Sequence, residues 1–157
     1  MPLATKKPKQ DAPEAQATYQ GDFYTWTREQ GALLRAGRFD AIDWENIAEE
    51  IESLGRTEFD KLVSFYALIM LHMLKWEHQP NLRSRSWAIS IENHREHAAE
   101  VLNENPGLKS RLDEALERAY RRARGEAIAE TGLWKSTFPD TCPFTLDEVL
   151  TRPYEFD

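Results

Sequence analysis

Cysteine is all but missing from this chain of 157 residues: Cys142 stands alone, so no intramolecular disulfide can form and no cysteine cluster can ligate a metal. Long hydrophobic runs are missing too. The longest apolar stretch, residues 62–74, is about 13 residues and falls short of the roughly 20 needed to cross a bilayer. There is no glycine-rich phosphate loop, no Gly-x-Ser-x-Gly elbow and no His-Glu-x-x-His zinc motif, so the common enzyme signatures have no foothold. Positive charge is in deficit. A net charge of -7 and a pI near 5.2 disfavour nonspecific binding to nucleic acid or anionic lipid. The first eighteen residues hold Lys6, Lys7, Lys9 and three prolines but no apolar segment of the kind a secretory signal uses. They read as a disordered tail, with residues 19–157 as a single helical domain; a reducing, cytoplasmic setting is expected.

What is present is helical periodicity. It recurs from Asp22 to about Thr131, and no stretch alternates strictly enough to make a strand. Asp22 can cap a first helix carrying Phe23, Trp26, Leu33 and Leu34, with Gly37 as its stop. Asp43 can cap a second, stapled by Ile42 and Ile47. Its stripe runs Trp44, Ile47, Ala48, Ile51, Leu54, Leu62, Phe65, Ile69, Met73 and Trp76 in one phase, which favours a continuous helix to about His78. A break at Leu54-Gly55 is the other option, since an internal glycine costs about 1 kcal/mol. Pro80 ends this element, and Ser84 or Ser86 starts a third carrying Trp87, Ile91, His94, Ala98, Val101 and Leu102. The short turn makes the pair antiparallel and sets Trp76 nearly level with Trp87, so the two indoles are expected to close the hairpin. Asn105 and Pro106 are expected to open a fourth helix running to Gly132, and Thr145 with Glu148 a short last one before Pro153. The fold class is therefore all-α: an antiparallel bundle of about four main helices, one of them long, with a short C-terminal helix.

Several of these segments together carry a resemblance. They are the run Asp43-Trp44-Glu45-Asn46-Ile47-Ala48-Glu49-Glu50-Ile51, then Leu54-Gly55, Lys75-Trp76, Gln79-Pro80, Ser84-Arg85-Ser86-Trp87, and Phe138-Pro139-Asp140-Thr141-Cys142-Pro143. Over about residues 19–152 the chain resembles a bacterial family catalogued as domain of unknown function number twenty-nine. The resemblance implies an all-helical fold and a bacterial origin. It brings no activity whose residues could be carried over.

Three constellations carry candidate chemistry. Between Asp40 and Asp60 eight carboxylates meet one cation, Arg56, and Glu45, Glu49 and Glu52 share one helix face. They read either as a solvated face or as a partner-binding one. His72 and His94 fall in the apolar arcs of neighbouring helices, and His94 and His97 sit three residues apart; these could hold a divalent metal, although no third ligand is assured and satisfied structural histidines are the plainer account. Arg118, Arg121, Arg122 and Arg124, with Lys109 and Arg111, give residues 108–124 a charge of +3. Arginine forks suit phosphate or carboxylate, and pairing with the acidic stretch is the expected use. Cys142 lies in a loop with no activating neighbour in sequence and reads as a small hydrophobe.

The resulting expectation is a helical protein-interaction module without cofactor, metal or catalysis of its own, self-associating as a homodimer. Glu45, Glu49, Glu52, Arg118, Arg121 and Arg122 are its expected partner-binding residues. The alternatives are a divalent-metal bundle enzyme built on His72, His94 and His97, and a nucleic-acid-binding accessory protein.

Overall fold

Asp22 caps the first helix as its residue type suggests, its Oδ1 accepting the amide N–H of Thr25 across 3.0 Å, and α1 runs Phe23–Arg35. The computed structural model describes residues 17–156, so most of the expected tail lies outside the described residues. Gly37, at φ +67°, takes the left-handed turn that ends α1 at no Cβ cost. A turn of 3-10 helix, Phe39–Ala41, then leads into α2, Trp44–His78, whose 35 residues continue through Gly55 without a break. A Cβ at Gly55 would meet nothing within 4 Å, so no packing constraint accounts for the glycine and the helix simply tolerates it. The described chain divides into two compact units after Glu52. Trp26 and Ile42 are the buried apolar residues of the first.

In the second unit, α3 spans Arg85–Glu104 with Ser84 as its cap, α4 spans Leu112–Thr131, and α5 spans Leu146–Thr151 behind the expected Thr145–Glu148 capping box. No strand occurs among the described residues, and the all-α class stands. Side-chain pairs fix the directions. Phe65 meets His97 and Lys75 lies over Trp87, so α3 runs antiparallel to α2; Arg118 reaches Asp60 and Lys75 reaches Glu130, so α4 runs back alongside α2 in its own direction. Ala115, Ala119, Ala123 and Ala127 make the buried stripe of α4 and belong to the same core cluster as the large residues Leu62, Tyr66, Ile69 and Met73 of α2.

One boundary and one packing expectation need correction. The fourth helix does not start at Pro106: residues Pro106–Arg111 form a 3-10 segment, and α4 proper starts at Leu112. Asn105 spends its side-chain amide on the Val101 carbonyl and on Glu58 instead of accepting from the new helix, and Gly107 weakens an α-helical first turn. Nor do the two indoles pair with each other. Trp76 meets Tyr154 edge-on at 5.4 Å, while Lys75 covers Trp87 at 4.8 Å. Successive helical residues point about 100° apart, so the residue of α2 that faces Trp87 is Lys75, and Trp76 turns to the C-terminal segment.

Candidate partner-binding surface

Asp43 organises the described part of the first unit. Its carboxylate accepts from the Asn46 side chain (2.7 Å), the Trp26 indole (3.2 Å) and the Asn46 backbone N–H (3.4 Å), capping α2 while tethering α1 to it. The Asn46 side-chain bond above all holds the Asp43 carboxyl below its ordinary range. Gln30, only 4% exposed, accepts the Asp43 backbone N–H at Oε1. Tyr19 donates to Glu50 and lies edge-on to Trp26 with ring centroids 4.9 Å apart. Around these groups is a cavity of about 570 Å³ lined by Tyr19, Trp26, Gln30, Asp40, Asp43 and Asn46 among others.

On the opposite side of the α2 N-terminal turns the apolar stripe is uncovered. Trp44 is 54% exposed and Ile51 64%, with exposed Ala48 between them. The Trp44 indole N–H is already satisfied by the Phe39 carbonyl at 3.1 Å, and the Phe39 ring lies against it at 6.4 Å, so the ring is held in place with its surface presented. Helical spacing puts Glu45, Glu49 and Glu52 along one edge of this stripe, and all three are exposed. The face is therefore apolar down the middle and acidic on one flank. The sequence placed Trp44 and Ile51 on the buried arc by continuity of phase; the phase is right, but the burial starts only at Phe59.

The basic stretch has a different arrangement. Arg118 pairs with Asp60 at 3.3 Å, Arg121 with Glu117 at 3.7 Å, and Arg122 with Glu126 at 2.9 Å while also donating to Ser64. Arg111 pairs with Glu114 and stacks on Phe59 at 3.7 Å. Arg124 holds the loop after α4, donating to the carbonyls of Phe138 and Lys135 and to Asp140, while Tyr120 donates to the Pro139 carbonyl at 2.6 Å. These contacts account physically for the Phe-Pro-Asp-Thr-Cys-Pro segment. Cys142 is half-buried beside Met70, and burial raises its thiol pKa.

His72 and His94 come level, as expected, with rings stacked at 6.5 Å, and His97 stands 6.3 Å from His94. The Nδ1 atoms of His72 and His94 each bond the carbonyl four residues back, Leu68 and Ser90. Phe65 fills the other side of His94 and His97. Burial keeps the His72 pKa below 6.5, against the pull of the Leu68 bond. Among the described residues no group of three or more His, Cys, Asp or Glu side chains could hold a metal ion. Sequence reasoning also passed over Arg95, 9% exposed, although its place between Ile91 and Ala98 on the apolar arc marks it as a charge on the buried face. Gln30 gave no such signal, because its burial depends on the segment that folds over it.

The family model described as Domain of unknown function DUF29 matches residues 18–155. No curated protein and no solved structure matches the chain.

Proposed function

The chain belongs to the family described as domain of unknown function DUF29, a description that assigns no activity, and we propose from its own residues that it is a helical protein-interaction module. Its partner is a basic amphipathic helix, seated on the N-terminal turns of α2. The observation that carries this is the exposed pair Trp44 and Ile51 on one stripe flanked by Glu45, Glu49 and Glu52. Aromatic anchors fixed before binding lose little freedom on contact, and a large exposed apolar surface rimmed by charge is the usual mark of an interaction site. The acidic flank selects a partner of opposite sign and sets its register.

A second copy of the chain is the competing occupant. Two acidic flanks brought together repel, whereas a basic helix brings the opposite charge to the flank. The basic partner is therefore favoured over the homodimer, and with the polyanion-repelling net charge it is favoured over nucleic acid as well. Among the described residues no helix is long and apolar enough to cross a membrane.

Titration with a synthetic Leu/Lys amphipathic helical peptide, followed by Trp fluorescence and calorimetry, tests the proposal. Trp44→Ala should weaken binding at least roughly tenfold, since central aromatic anchors are worth about 2 kcal/mol or more. Glu45, Glu49 and Glu52 changed together to Lys should abolish it. Binding that is absent, or indifferent to both changes, refutes the assignment; light scattering that finds a dimer broken by Trp44→Ala replaces the basic partner with a second copy.

A further inference from the structure

We propose that the cavity beside Asp43 is a subsite for the cationic side chain of a lysine or arginine carried by the partner protein. The inference rests on the reading of this unit as a surface for a basic partner and names a second contact on it. The cavity, about 570 Å³, falls within the size of ordinary ligand pockets. Its wall combines three features that seldom coincide by accident. The first is aromatic: the half-buried Tyr19 lines it, its ring crossed edge-to-face on the buried Trp26, and an aromatic face attracts alkylammonium and guanidinium groups and covers their aliphatic stems. The second is anionic: Asp43 lines it, and Asp40, whose carboxylate already pairs with Arg38 at 3.3 Å, stands beside it. Three donors fix the Asp43 carboxylate in position, so its charge is held ready and requires no reorganisation when a cation arrives.

The third feature is Gln30. It lines the cavity yet is 4% exposed, and with Oε1 committed to the Asp43 N–H the remaining polar end of its amide is a donor. A donor beside a carboxylate suits a ligand that carries both a positive group and a carbonyl oxygen, which is what a basic residue within a peptide offers. The Asp43 carboxylate disfavours an anion, and the polar lining disfavours a purely apolar side chain.

The test uses the full chain, 15N-labelled, titrated with N-acetyl-arginine methylamide and N-acetyl-lysine methylamide, with the citrulline analogue as the uncharged control. The Trp26 indole N–H, bonded to Asp43, is the reporter. A saturable shift of this signal by the charged probes is expected, at least roughly tenfold weaker for citrulline. Asp40→Asn, at an exposed position outside the core, should weaken the charged probes several-fold while leaving the fold intact; Tyr19→Leu should do the same through the lost ring. No shift at Trp26, equal binding of citrulline, or indifference to both substitutions overturns the subsite. Trp44→Ala separates the two assignments. Arginine amide bound normally while the Leu/Lys peptide fails leaves the cavity standing and removes the helix face; peptide binding that survives with no Trp26 shift does the reverse.

Discussion

Arg95 donates through Nε to the carbonyl of Val149 across 2.8 Å, so a charged side chain of α3 serves as the C-terminal cap of α5. The same guanidinium donates to the carbonyls of Arg152 (2.8 Å) and Glu148 (3.3 Å) and pairs with Glu92. A helix of six residues is too short to be stable by itself, and this fork supplies the acceptor-side partners its last turn lacks. Arg95→Met should cost about 2–4 kcal/mol in denaturant unfolding, because the carbonyls of Val149 and Arg152 lose their donor. Arg95→Lys should recover less than half of this, as a point ammonium cannot replace a planar fork. Equal stability of all three proteins would remove the capping role.

Trp76 is tied to Tyr154, and a double-mutant cycle should report this pairing. Trp76→Ala should cost about 3–5 kcal/mol, and coupling to Tyr154→Ala should reach about 0.5–1.5 kcal/mol. The cycle with Trp87→Ala should be closer to additive. A larger coupling to Trp87 than to Tyr154 would reinstate the indole pair at the hairpin turn.

Stability should fall on mild acidification because of His72. Its folded-state pKa lies below 6.5, chiefly through desolvation, so the unfolded chain binds the extra proton more readily. The contribution is complete above about pH 6.5 and is lost as pH falls from there through the folded value. Replacing His72 by Gln should flatten the stability profile in that window, measured as the urea midpoint between pH 7 and pH 5; an unchanged slope refutes the assignment. Glu148, lowered mainly by the Thr145 backbone bond, acts in the same direction only below about pH 4.5, so the two windows are separable.

Reversing Arg118, Arg121 and Arg122 to Glu should change stability by only about 1–3 kcal/mol in total, since each pair is well exposed. Light scattering at tens of micromolar should find the parent and the triple variant in the same state of association. A parent dimer that the reversal dissociates would instead assign these arginines to an interface between copies.

Elemental analysis of the purified protein should find no stoichiometric metal. His72 and His94 bring two rings level, but the third member, His97, is exposed and lies against Phe65. About one zinc, iron or manganese per chain, lost on His94→Ala, would reopen the metal-enzyme reading.

The sequence by itself determined which segments are helical, though not where α4 starts. Period, caps and stops are local properties, so Asp22, Asp43, the Thr145–Glu148 box and the glycines Gly37 and Gly132 could each be read from a few neighbouring residues; phase favoured a continuous α2, while its passage through Gly55 and the choice of Ser84 over Ser86 as the α3 cap were decided by the structure. The tertiary structure alone decided which parts of a stripe are covered. Trp44, Ile51 and Leu62 share one phase, yet only Leu62 is buried, because burial depends on whether another element lies opposite and phase carries no information about that. It likewise chose the partners of charged groups: whether Arg118 faces Asp60 or solvent, and whether Arg95 caps a helix more than fifty residues away, depends on contacts between elements remote in the chain. The candidate site belongs to this second class. Its carboxylates were visible as a cluster, whereas the cavity exists only because α1 and the segment before it fold over Asp43 and bring Tyr19, Trp26 and Gln30 to its side.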